Sequence, residues 1–192
     1  MPTPEQEALN ARTYLALGRY VVAFSGLLHS LETSTVHLIV PEPDGRKMML
    51  LGAALSDRTA SPIVGAFFSV FYKHWEGQMS DEDTAVMKCL RRELEEIVKE
   101  RNRLMHDAWM GSTVGGDPGP HAMTRHRVRA HGTGVEFESE MYPPEKLAQL
   151  AEDLTRLSSI VNGTVWYHRP GQRGPELAER FRVVDKKVQR TD

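Results

Sequence analysis

One cysteine in 192 residues, Cys89, leaves nothing from which to build an internal disulfide. The fold must therefore rest on a hydrophobic core, and a reducing compartment is favoured. Cys89 falls in a helical pattern and reads as a packing or surface thiol. Long apolar runs are also missing. The two longest, over residues 21–28 and 48–55, fall well short of the ~20 residues that a membrane-spanning helix needs. No secretory signal is visible at the start, so the sequon Asn162-Gly163-Thr164 carries no meaning, and a cytoplasmic protein without a membrane partner is expected. Neither sign of charge is in excess: 24 Lys and Arg against 26 Asp and Glu leave a formal net charge of -2. That excludes a global pull toward nucleic acid and confines any such binding to a local patch.

Whole classes of chemistry lack their motifs. There is no glycine-rich phosphate loop with its lysine, no dinucleotide fingerprint, and no serine or cysteine nucleophile motif. No two histidines stand three or four residues apart, and no Glu is followed three residues later by His. No metal and no cofactor are therefore expected. His29 and Glu32, one helical turn apart, read as a polar pair at a bundle edge rather than a metal site.

What is present is an ordinary soluble composition, 40% hydrophobic and 26% charged, in a length that suits one full core. Thr3-Pro4-Glu5-Gln6 has the form of a helix start, and Leu9, Leu17, Tyr20, Phe24, Leu27, Leu31 and Leu38 form one face, ending before Pro41. Residues 48–55 form an apolar strap with no readable period. A second helix opens at Ser61-Pro62 and carries Val64, Phe67, Phe68, Phe71 and Trp75 as far as Gly77. A third, capped by Ser80-Asp81-Glu82-Asp83, carries the stripe Met87, Leu90, Leu94, Ile97, Arg101, Met105 and Ala108, with Glu95 and Lys99 as an i,i+4 pair and Gly111 as its stop. A last long helix from Pro143-Pro144 has the seam Leu147, Leu150, Leu154, Leu157, Val161, Thr164 and His168.

Before that helix lies a hairpin, over about residues 123–141. Arg125, Arg127 and Arg129 alternate with other residues on one side of Gly132-Thr133-Gly134, and Glu136, Glu138 and Glu140 do so on the other. A tight turn sets Arg129 opposite Glu136, Arg127 opposite Glu138 and Arg125 opposite Glu140. The arginine row thus reads as an ion-pair ladder rather than a phosphate track. The expected fold is mainly α: an antiparallel four-helix-type bundle over residues 1–169, with the hairpin inserted before its last long helix. In the tail, residues 170–192, Leu177, Phe181 and Val184 suit a short helix.

The stretch that carries chemistry is Arg101-Asn102-Arg103-Leu104-Met105-His106, near the end of the third helix. A guanidinium holds a phosphate through a planar fork of donors, and an imidazole moves a proton near neutral pH. Arg101 interrupts an apolar stripe, where an arginine is costly unless partnered. Asn102 and His106 stand four apart and share one helix edge.

With Trp109 following closely, Arg101-Asn102 and His106 resemble the signature of the HEPN superfamily, and the bundle order with its hairpin resembles it over roughly residues 3–168. Asp107 stands where many members carry glycine. The resemblance implies a metal-independent endoribonuclease working as a homodimer, in which the RNA 2′-hydroxyl attacks its own phosphodiester at a composite site. His106 then handles a proton, Arg101 holds the phosphate, and Asn102 orients the pair or bonds a phosphate oxygen. Arg103 and Lys99 add positive potential at the substrate, and residues 110–120 border the cleft. A toxin or phage-defence effector with a neutralising protein partner fits this reading. The alternative is a non-catalytic HEPN-like module that binds RNA, nucleotide or a protein partner.

Overall fold

The first helix, α1 (Pro4–Ile39), begins where Pro4 pre-sets the helical φ and stops before Pro41. A computed structural model of the chain describes residues 3–40, 45–56, 58–106, 108–110, 124–131, 134–165 and 174–191. Within these, the protein is mainly α, a helical bundle with a β-hairpin ahead of the last long helix. After α1 come α2 (Gly45–Ser56), α3 (Ala60–His74) and α4 (Asp81–His106). The strands β1 (Ala108–Met110), β2 (Thr124–His131) and β3 (Gly134–Met141) precede α5 (Pro144–Val165). A single helical turn, α6 (Leu177–Arg180), then leads into β4 (Phe181–Val184) and β5 (Lys187–Arg190). No helix among the described residues is long and apolar enough to cross a membrane.

The chain falls into two compact units, Met1–Phe24 with Glu100–Leu154 and Ser25–Lys99 with Thr155–Asp192. Helices α1, α4 and α5 each pass through both. In the first, Ala16, Tyr20, Phe24, Leu104, Tyr142 and Leu147 are buried, and Arg12 pairs with Glu145 at 2.6 Å. In the second, Leu27, Leu31, Met87, Leu90, Leu94 and Leu157 are buried, and so is an aromatic cluster on α3, where Phe67 meets Phe68 edge-on at 5.2 Å and Phe71 at 6.0 Å.

The register of β2 and β3 pairs Arg125 with Glu140, Arg127 with Glu138 and Arg129 with Glu136, as the alternation predicts. Elsewhere the structure departs from the sequence reading. Residues 48–55 belong to a helix, α2: Met, Leu and Ala are strong helix formers, and an unbroken apolar run hides their period. The α4 helix stops at His106 rather than running to Gly111, and Ala108–Met110 instead pairs with β2 as a third strand. The inward stripe of α4 proceeds through Leu94 and Val98 to Leu104, leaving Met105 46% exposed. Glu95 pairs with Arg91 at 2.8 Å and Lys99 with Glu96 at 2.7 Å, so the i,i+4 pair expected between Glu95 and Lys99 gives way to nearer partners.

The tail is not only a short helix. The β4–β5 hairpin turns through Asp185 and Lys186, both at positive φ (49° and 63°), the backbone of a two-residue hairpin turn in which glycine is usual at the second position. Two donors grip that turn from α4: the Cys89 thiol at 3.2 Å and Arg92 Nη2 at 2.9 Å, both on the Lys186 carbonyl. Burial, then the Glu93 carboxylate, holds the Cys89 thiol above its ordinary pKa. Deeper in, Glu93 accepts from Arg156 Nη2 at 2.5 Å and from the Val188 N–H at 2.6 Å.

The cap of α4 is reciprocal. The Asp83 N–H donates to Ser80 Oγ at 3.0 Å, and the Ser80 N–H donates to Asp83 Oδ2 at 3.2 Å. The other oxygen of Asp83 accepts the Ala178 N–H at 3.0 Å.

Helix α5 meets the tail at Gly163. A Cβ there would lie 2.8 Å from Phe181 Cζ, on a buried ring. Gly163→Ala is expected to lower stability by about 1–3 kcal/mol, the usual effect of overpacking. Thermal unfolding checks this, and an unchanged midpoint would mean that the ring has room to turn.

Candidate active site

The last turns of α4 carry the polar cluster because the helix there still has one buried side. Leu104, 1% exposed, holds that side down, while Asn102 and Arg103 are exposed and Arg101 is half-buried. The Arg101 guanidinium lies 5.7 Å from the centre of the Phe24 ring, a cation–π contact. Its Nη1 donates to Asn102 Oδ1 at 3.2 Å. Among the described residues no carboxylate is within ion-pair distance of it, which leaves most of its fork of five donors uncommitted.

The two other expected cations are engaged. Lys99 is paired with Glu96, and Arg103 Nη1 stands 3.4 Å from Glu100 Oε2. Neither stands as an open positive charge, though both pairs are partly exposed and individually weak. His106 is the final residue of α4, so its backbone is four positions from Asn102 on a continuous helix. Its side chain, with Asp107 and residues 111–120, lies outside the described residues. At 3.6 residues per turn, five positions separate Arg101 and His106 by about 140° around the axis.

Residues that the sequence did not mark as site groups gather around Glu100, the chain neighbour of Arg101. The Tyr142 hydroxyl donates to Glu100 and stands 3.3 Å from Glu140 Oε2. Lys146 pairs with Glu140, its ammonium 4.0 Å from the centre of the Tyr142 ring. Tyr20, on α1, has a buried hydroxyl with no hydrogen-bond partner among the described residues. Burial first, and the Glu100 carboxylate second, hold this phenol well above its ordinary pKa, against the opposite pull of Arg101. Tyr20 thus stays protonated at physiological pH beside the guanidinium. The sequence marked Tyr20 only as one more member of an apolar stripe, and nothing in it tied Tyr142 to Glu100.

What the arrangement can do follows from its parts. A guanidinium fixed on an aromatic ring and a neighbouring carboxamide, with no described carboxylate within ion-pair distance, is a receptor for a phosphate or another oxyanion. Among the described residues no group of three or more His, Cys, Asp or Glu side chains is placed to hold a metal ion. Comparison of the chain with protein-family models, with curated proteins and with solved structures finds no match.

Proposed function

We propose that this chain is a HEPN-type, metal-independent endoribonuclease that acts as a homodimer. The observation that carries the reading is Arg101: half-buried, braced on Phe24 and Asn102, and free of any described carboxylate. An arginine set into a packed helix face without a counter-ion is poised for an anion that the protein itself does not supply. In the proposed reaction the RNA 2′-oxygen forms a bond to its own phosphorus and the bond from phosphorus to the 5′-oxygen breaks. The products are a 2′,3′-cyclic phosphate and a 5′-hydroxyl. His106 takes the proton from the 2′-hydroxyl or returns one to the departing 5′-oxygen. Arg101 holds the charge that grows on the phosphate, and Asn102 orients the guanidinium.

The angular separation of Arg101 and His106 on one helix supports a site completed by a second copy, in which the histidine of one protomer serves the arginine of the other. A cytoplasmic toxin or phage-defence effector, held in check by a neutralising protein partner, is the setting that this chemistry suits.

The second reading, a non-catalytic HEPN-like module for RNA, nucleotide or a protein partner, is favoured by one observation: Lys99 and Arg103 are already paired with Glu96 and Glu100. The test is incubation of the purified protein with total RNA in excess chelator, beside a folded His106→Ala control. Cleavage by the parent alone is expected. Cleavage that chelator abolishes and His106→Ala leaves intact would overturn the enzymatic reading.

A further inference from the structure

We infer that a separate polar groove in the second unit binds a small phosphate ester. The groove is open to the surface and has a volume of about 620 Å³, within the range of small-ligand pockets. Ser30 and Thr33 of α1 line one side, and Ser158, Ser159 and Asn162 of α5 line the other. Helices that pack for stability alone bring apolar side chains together. Here a hydroxyl chain takes their place: Ser30 Oγ and Ser158 Oγ lie 2.6 Å apart, and Asn162 Nδ2 donates to Ser30 Oγ at 3.3 Å.

The charge of the groove selects its ligand. Among the described residues no Asp or Glu lines it, while His29 and Arg190 do. Arg190 Nη2 donates to the Ser159 carbonyl at 3.3 Å, which anchors the guanidinium over α5. Among the described residues it has no carboxylate within ion-pair distance, so its remaining donors are open to a phosphate, which a planar fork meets in bidentate fashion. Serine and threonine hydroxyls both donate and accept, and so suit the hydroxyls of an attached sugar. This groove is built from residues other than Arg101–His106 and does not rest on the nuclease reading.

Calorimetric titration of the full chain with AMP and, separately, with ribose 5-phosphate tests it. Saturable binding of either at millimolar concentration or below is expected. Binding of AMP alone identifies a nucleotide, and binding of both identifies the phosphorylated sugar. Arg190 is exposed, so Arg190→Gln keeps the fold and is expected to weaken binding by about tenfold, the effect of one lost charge-assisted hydrogen bond. Ser159→Phe, also at an exposed position, is expected to abolish binding by filling the groove. His106→Ala should bind as the parent does. Absence of saturation with both ligands would overturn the inference. So would binding that survives Arg190→Gln and Ser159→Phe, or binding lost in His106→Ala.

Discussion

Arg101→Ala is expected to stay folded and to lose RNA cleavage by about 10²–10³-fold, the range seen when one preorganised donor to a transition-state oxyanion is removed. The folding side of this expectation comes from what Arg101 touches. Its described side-chain partners are one aromatic ring and one carboxamide at a half-buried position, and a cation–π contact there contributes roughly 0.5–1 kcal/mol. For a chain of this size that is a melting shift of about 1–4 °C. Arg101→Lys sharpens the test. It keeps the charge and loses the planar fork, so activity should recover only in part. The measurement pairs cleavage rates in chelator with thermal unfolding of the same samples. Cleavage by Arg101→Ala within about twofold of the parent, together with a large melting loss, would make Arg101 a packing residue of Phe24 and would favour the binding-module reading.

Glu93→Ala is expected to produce the largest loss of stability. The Glu93 side chain is 10% exposed and that of Arg156 26%, and the carboxylate holds both the guanidinium and the Val188 N–H. Removing one partner of a buried pair costs about 3–5 kcal/mol because the other charge is stranded. Water reaches part of Arg156, which also keeps its bond to the Val188 carbonyl, so a loss of about 2–3 kcal/mol is expected. That corresponds to roughly 5–10 °C in the unfolding midpoint. Glu93→Gln retains an acceptor for the Val188 amide and should fall between the two. A shift under about 2 °C for Glu93→Ala would mean that solvent already screens the pair.

The parts of the fold legible in the sequence are those with a strong period. The hairpin register could be read because arginine and glutamate alternate on either side of two glycines, and a slip of one residue would break every pair. The long helices could be read from their stripes and from the caps at Pro4 and Ser80. Helix α2 could not, because a continuous apolar run carries no phase. The C-terminal hairpin escaped because Asp185-Lys186 lacks the glycine that marks such turns, its backbone being gripped instead by Cys89 and Arg92 from far along the chain. At the candidate site the sequence pointed to Arg101 as an arginine out of place on its stripe. It could not show that Tyr20 and Glu100 stand beside it, nor that the nearer glutamates take Lys99 and Arg103.

The double use of Asp83 joins two stretches of chain in time as well as in space. Its carboxylate holds the amide of Ser80 with one oxygen and that of Ala178, 95 residues beyond Asp83, with the other. A hydrogen-bonded amide exchanges its hydrogen with solvent when the group that accepts from it lets go. One swing of the Asp83 side chain releases both. Deuterium uptake at the start of α4 and at α6 should therefore share a rate, so that the end of the chain serves as a clock for the opening of a helix begun near its middle.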